Sequence, residues 1–404
     1  MTQATWRAPM VVLFCGGAIL ALSMGVRQTF GLFLEPMTID LGISRSNFSL
    51  AIAVQNLLWG ALTPVFGIFA DKYGTGRCLA LGGVSYVIGI LIMALGDSVL
   101  GLHLGAGIFV GMAVGGSGVP LVLAAVARAF PPERRSLAIG IAASGGSVGQ
   151  FLLLPFTQVT MAGLGWVGAL LVLAAISGLI VPLAAALSGK PEAQAGGAQS
   201  IGAAVTEARR HRGFQLLTAG FFVCGFHVSF IATHLPAYIN SLGFDPLVGA
   251  TALGVIGFFN IIGGLLAGYL GGRYRKKYLL SLIYLARAVT IAIFMLAPKT
   301  DVAVWLFAAS FGLLWLSTVP LTSALVGDIF GPRFMATLVG IVMFSHQIGA
   351  FLGAWLGGLS YDVSGSYDAV WLLAIALGLL AAVLHWPIAD KPVAELADPA
   401  PERA

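Results

Sequence analysis

Gly67-Ile68-Phe69-Ala70-Asp71-Lys72-Tyr73-Gly74-Thr75-Gly76-Arg77 separates two stretches, 47–69 and 77–96, that are almost free of charge. An apolar run of about 20 residues spans a bilayer as a helix. The pattern therefore reads as helix, tight polar turn, helix. Gly67 and Gly74 allow the chain to reverse closely, and Asp71 stands at a helix end where it can pair with cations or a helix N-terminus. Lys72 and Arg77 place positive charge on the same side of the membrane.

The pattern continues in both directions. Apolar runs between charged punctuation predict twelve spans, at 10–36, 47–69, 77–96, 99–127, 137–158, 164–188, 213–240, 247–270, 277–297, 302–327, 336–358 and 367–388. The chain is 58% hydrophobic and 9% charged, against about 25% charged for a soluble domain. So few charges cannot cover a surface in water, whereas a lipid-facing surface needs almost none. The 54 glycines suit membrane helices, where small residues let backbones approach closely. Faces of this kind run through Gly107, Gly111 and Gly115, through Gly145, Gly146 and Gly149, and through Gly349, Gly353 and Gly357. Cys15, Cys78 and Cys224 have no metal-ligand spacing and read as reduced packing residues. The first apolar stretch is too long for a signal peptide and is followed by more spans, so it reads as the first membrane helix.

Charge placement fixes the topology. With both termini cytoplasmic, every Lys and Arg except Arg27, Arg45, Arg287 and Lys299 falls on the cytoplasmic side, Arg333 among them. That is the positive-inside rule, and a shift by one helix would destroy it. The expectation is a multi-pass protein of a bacterial inner membrane. Its basic excess belongs to loops facing lipid head groups and gives no sign of nucleic-acid binding. The polar segment 189–212 reads as a cytoplasmic linker with a short surface helix near 200–210. It divides a six-helix bundle in 1–188 from a second in 213–390, and 391–404 is a cytoplasmic tail.

The halves repeat at an offset of 200 to 201. Val119-Pro120-Leu121 recurs as Val319-Pro320-Leu321, Phe130 and Pro132 as Phe330 and Pro332, and Gly140-Ile141 as Gly340-Ile341. Gly149 and Phe151 recur as Gly349 and Phe351, Leu41-Gly42 as Leu242-Gly243, and Gly67 as Gly268. Parallel repeats of this kind build secondary transporters whose substrate site lies between the halves near the bilayer midplane.

The 67–77 loop resembles the major facilitator signature G-x-x-x-D-K/R-x-G-x-x-R/K. The resemblance implies an all-α fold of twelve helices in two pseudo-symmetric six-helix bundles. It also implies a gating role for Gly67, Asp71, Lys72, Gly74 and Arg77. The second copy, Gly268 to Lys277, has Gly272 in place of Asp71. In the first span, Met24-Gly25-Val26-Arg27-Gln28-Thr29-Phe30-Gly31-Leu32-Phe33 is similar to the bacterial monocarboxylate transporter and oxalate/formate antiporter group, which has a lysine before Ser-Phe-Gly. By that match Arg27 takes the place of the group's substrate-facing lysine. The group's eighth-span arginine is missing here: stepping back from Gly268 gives Gly264 and then Asn260.

An ionised group within a membrane span is expensive and by default a functional candidate. Arg27 and Arg287 are the two cations, and no Asp or Glu lies near a span centre. An arginine fork without a protein carboxylate suits a planar carboxylate ligand. Histidine as a residue type titrates near neutral pH, so His227 and His346 are candidates for a coupling proton. Gln28, Gln55, Asn56, Trp59, Gln150, Asn260 and Gln347 complete the candidate substrate site. Packing remains the alternative reading for each.

Function follows as secondary active transport of a small organic anion, a mono- or dicarboxylate, by alternating access. Proton coupling and exchange both remain open. The alternative is an exporter of drugs or neutral small molecules on the same fold. Drug exporters for cations tend to need a buried carboxylate, which is lacking. An enzyme would need a nucleophile, an acid/base pair or a metal cluster, and no such constellation stands out. There is no Walker-type loop, so no nucleotide, metal or other cofactor is expected. Protons are possible co-substrates, and a monomer is the expected form.

Overall fold

The computed structural model describes residues 8–189, 201–331 and 335–393. The repeat position Pro332, the loop residue Arg333, the linker segment 190–200 and the tail from 394 lie outside the described residues. The described residues contain helices and no strand.

The spans are α1 (Pro9–Asp40), α2 (Arg45–Tyr73), α3 (Thr75–Leu95) and α4 (Val99–Ala129). Glu133–Leu187 follows as one apolar run of 55 residues. At about 1.5 Å per residue it would measure ~80 Å, against a hydrocarbon core of ~30 Å. It must therefore cross twice. Gly165 leaves the helical region (φ 71°, ψ 174°); α5 precedes it and α6 follows. The end of α6 returns to the start of α3, where the Thr75 N–H donates to Gly189 O at 3.0 Å. A helix Ile201–Arg210 lies between α6 and the second set, with Ala204 and Ala208 buried. The second set is α7 (Arg212–Ser241), α8 (Pro246–Gly271), α9 (Lys276–Leu296), α10 (Asp301–Phe330), α11 (Met335–Ser364) and α12 (Asp368–His385). The twelve expected spans are all present.

The helices pair twice over. In the first set α1 packs on α5, α2 on α4 and α3 on α6; in the second α7 packs on α11, α8 on α10 and α9 on α12. Glycine makes the tightest pairs possible. A Cβ on Gly149 would run into the backbone of Ala21, and one on Gly349 into that of Phe222. The repeated prolines have a structural consequence. A proline ring collides with the carbonyl four residues earlier, so Pro120 and Pro320 break their helices. The break falls at Gly118 in α4 and at Trp315–Ser317 in α10.

The halves meet through α2 with α11, α5 with α8, and α1 with α7. Among the described residues, the contacts between the halves lie in the middle and at the end opposite the 67–77 loop. Gly31 of α1 lies against the backbone of Ala232 and Thr233, and Gly358 of α11 against the backbone of Arg45. The Arg45 and Ser46 N–H groups, which open α2, donate to the Asp362 carboxylate of α11 at 3.1 and 2.7 Å. The Arg45 guanidinium lies 3.7 Å from the Tyr361 ring and donates to the Tyr367 hydroxyl at 2.7 Å. Asn240 of α7 donates to Glu35 of α1 at 3.0 Å. At the loop end, by contrast, Gly140, Gly264, Gly268 and Gly340 have open space where a Cβ would stand. The protein is closed at one end and open at the end carrying the basic loops.

Candidate central binding site

Arg27 lies just before a bend in α1. Thr29 makes it: its N–H and its hydroxyl both donate to Val26 O, at 3.1 and 2.7 Å. The turn below is anchored by Tyr86 of α3, whose hydroxyl donates to Ser23 O at 2.6 Å. Ser23 Oγ in turn bonds Ser117 Oγ, beside the α4 break, at 3.0 Å. The arginine is thus delivered to the junction of the halves by a fixed segment.

Its guanidinium donates through Nη2 to Asn56 Oδ1. It lies 4.8 Å from the Trp59 ring centroid, a cation–π distance. Its Nε is buried without a partner. No ion pair joins Arg27 to a carboxylate among the described residues. A cleft beside it is lined by Arg27, Gln28, Gln55 and Ser229, among others. Asn56 donates to Ile52 O at 2.9 Å and across the interface to Ser229 Oγ at 3.1 Å. Gln28 donates to Gln150 at 3.4 Å, and Gln150 donates to Leu253 O of α8 at 3.0 Å. Gln347 of α11 packs over Gly60 of α2, its Oε1 buried without a partner. Neighbouring His346 packs at a tilt against Phe221, ring centroids 5.2 Å apart, with Nδ1 unpartnered.

Arg27, Gln28, Asn56, Trp59, Gln150 and Gln347 therefore gather where the halves meet, while the His346 ring packs on Phe221 of α7 within its own half. Four other expected site residues do different work, and the reason in each case is backbone. Gln55 lines the cleft, but its amide donates to Ala106 O at 2.9 Å, in the π-helical turn His103–Phe109 of α4. Asn260 donates to Ser147 at 2.9 Å and accepts the Leu316 N–H at 3.0 Å, so it caps the α10 break and ties it to α5. Arg287 is fully buried. It donates to Leu314 O at 2.6 Å and to Trp315 O at 2.5 Å, carbonyls freed by the same break. The substrate contact expected of Arg287 gives way to this capping role. His227 is also fully buried, and its Nε2–H donates to Ala374 O of α12 at 2.7 Å. It faces away from the junction.

In the expected gating loop, α2 ends at Gly74 with φ 96°, a region open to glycine. Arg128 of α4 donates to the Thr75 hydroxyl at 2.7 Å. Gly67 is unobstructed, and Asp71, Lys72 and Arg77 are exposed at the open end.

Ser229, Ser147 and the Glu35–Arg45–Asp362 group were not singled out from sequence. A serine in a glycine-rich membrane helix carries no signal that separates a bonding partner from a packing residue. Glu35 and Arg45 were visible only as charges at the outer ends. Among the described residues no three His, Cys, Asp or Glu side chains gather to hold a metal.

Comparison with known proteins agrees in architecture. Residues 13–318 match the sequence profile of the Major Facilitator Superfamily. The chain is 28% identical over 395 residues to monocarboxylate transporter 13 of Bos taurus, covering 94% of this chain and 90% of that one. It is 26% identical to the oxalate:formate antiporter of Oxalobacter formigenes, covering 95% and 94%. It is also 26% identical to the uncharacterized MFS-type transporter YcxA of Bacillus subtilis, covering 92% and 94%. Among solved structures, a bacterial homolog of the human lysosomal transporter Spinster superposes with a TM-score of 0.72 at 18% identity, covering 95% of this chain and 94% of that one.

Proposed function

The chain belongs to the Major Facilitator Superfamily, and from that premise we propose that it carries a small organic anion across the membrane by alternating access. One observation carries the reading: Arg27 stands at the junction of the halves with its Nε unpartnered and, among the described residues, without a carboxylate. A half-buried cation held only by an amide and an aromatic ring is short of negative charge, and a carboxylate matches the guanidinium fork bidentately. Neutralisation lowers the desolvation cost of closing the site, which favours transport of the filled carrier. The names of the monocarboxylate and oxalate:formate relatives support the same substrate class, mono- or dicarboxylate.

The anion meets Arg27 and Trp59, with Gln28, Asn56, Gln150 and Gln347 around it. His346, with a free Nδ1 beside Gln347, is the candidate for a coupling proton. His227 is not, because α12 holds it. Asp71, Lys72 and Arg77, exposed at the open end, then serve the gate. The open end carries the basic loops and so faces the cytoplasm, with the bundles divided at 188 and 213. The bacterial relatives support placement in a bacterial inner membrane. Uptake of radiolabelled formate, lactate and oxalate into proteoliposomes, with and without an imposed pH gradient, tests the proposal. One of them should enter through the wild type and fail to enter through Arg27→Ala. Equal uptake by both would sink it.

A further inference from the structure

Asn56 bonds the central cation and the opposing half at once. Its side-chain amide is fully buried and has both hydrogens in use. Oδ1 accepts from Arg27 Nη2, while Nδ2 donates to Ile52 O at 2.9 Å and to Ser229 Oγ of α7 at 3.1 Å. A side-chain amide carries its acceptor and its donors on opposite ends of a rigid plane. The cation dictates that Oδ1 points to α1. The N–H groups must then point to Ile52 and α7. Whatever changes the demand of Arg27 on Oδ1 therefore changes the bond to the other half.

One turn further from the open end, Gly31 lies against the backbone of Ala232 and Thr233. Gly31 follows Arg27 by four residues, and Ala232 and Thr233 follow Ser229 by three and four, so each contact lies one helical turn on. The polar link and the dry contact are successive rungs of the closure between α1–α2 and α7.

We propose that Asn56 couples occupancy of Arg27 to the separation of the two halves; the coupling rests on the anion-site reading above. An anion arriving on the free Nε edge draws the guanidinium and competes for the Nη2 hydrogens. Oδ1 then loses the contact that orients the amide, the donation to Ser229 weakens, and the closed end is released. Linkage makes the effect reciprocal: separating the halves frees Arg27 and raises its affinity for the anion.

The test uses the full chain in lipid nanodiscs. Spin labels on Ile39→Cys and Leu242→Cys, exposed positions at the closed ends of α1 and α7, report their separation. The native cysteines are buried. Without any anion, Asn56→Ala and Ser229→Ala should each raise the long-distance population about fivefold, the change expected for one net hydrogen bond. The double variant should open no further than either single one, because the residues act as one unit. Asn56→Asp supplies Arg27 with a carboxylate of its own and should show no response to anions. Whichever of formate, lactate or oxalate raises the melting temperature of the wild type should lengthen its distance, and should add nothing in Asn56→Ala. Ser229→Ala loses a single hydroxyl and keeps the test decisive if Asn56→Ala does not purify as a folded protein. Wild-type distances in both variants overturn the link. Opened variants with no anion effect on wild-type melting or distance overturn the anion reading and the coupling with it.

Discussion

Replacing Asp362 by alanine should open the closed end of the protein. Asp362 belongs to α11, yet it accepts the first two N–H groups of α2 in the other half, Arg45 at 3.1 Å and Ser46 at 2.7 Å. Ser44 Oγ takes the Asn47 N–H at 3.2 Å. The start of α2 is therefore fully satisfied only while the halves touch. A side chain accepting at a helix N-terminus contributes about 0.5–2 kcal/mol, and a negative charge there adds about 0.3–1 kcal/mol through the helix dipole. Part of this is recovered from water once the helix end is exposed. A net loss of about 1–2 kcal/mol lowers the closed-to-open ratio about 5–30-fold. Hydrogen exchange read by mass spectrometry measures that ratio at the backbone. Peptides covering 44–52 and 358–366 should lose protection by the same factor, while peptides within α9 and α12 stay unchanged. Arg45 would still stack on Tyr361 and bond Tyr367. If those contacts dominate the closure, exchange in both segments will match the wild type, and the reasoning is refuted.

Three further outcomes follow from other parts of the molecule. His346→Ala should abolish uptake driven by a pH gradient and leave anion exchange intact, measured in the same proteoliposomes; loss of both would make His346 a structural residue. Gly149→Ala places a methyl in the backbone of Ala21 and should destabilise the α1–α5 pair by about 1–3 kcal/mol; Gly140→Ala, in open space, should leave the melting temperature unchanged. Finally, Arg275 donates to Asp390 at 3.0 and 2.5 Å and holds its carboxyl below the ordinary carboxylate range. A carboxylate depressed in the folded state stabilises above its unfolded value of about 3.9 and loses that contribution as pH falls below it. The melting difference between wild type and Asp390→Asn should therefore hold near neutral pH and shrink under acid. A difference that grew under acid would contradict the assignment.

The fold was legible because a bilayer leaves few choices. Span length and the repeat are one-dimensional signals, and both survive into the structure, where the helices pair in the same way in each set. Even the run from Glu133 to Leu187 was divided correctly, since its length admits no single crossing. The site was legible only in part. Arg27 stood out because a charge in an apolar span must be explained. The same logic also selected Arg287, whose partners are carbonyls freed by the Pro320 break in another helix. Val319-Pro320-Leu321 was read as a mark of repetition, and a sequence does not show which side chain answers the carbonyls a proline releases. His227 and His346 look alike in sequence, and helical phase separates them only when neighbouring helices are in place. Asn56 was recognised as a polar group, but its bond to Ser229 depends on how the halves dock. Asp362 carries no signal in the sequence, since a carboxylate near a helix end ordinarily sits in water. Its role at the start of α2 exists only across the interface.

The central claim is that Arg27 awaits an anion. The most direct measurement is a thermal-shift comparison of purified wild type and Arg27→Ala in detergent, against formate, lactate, oxalate, neutral solutes and lipophilic cations. A ligand that binds the folded state raises the melting temperature by linkage. At about 100 times its dissociation constant the gain is ~2.7 kcal/mol. The account predicts stabilisation of the wild type by a carboxylate and its loss in Arg27→Ala. Stabilisation by neutral compounds or lipophilic cations alone, or a carboxylate effect that persists in Arg27→Ala, would contradict it.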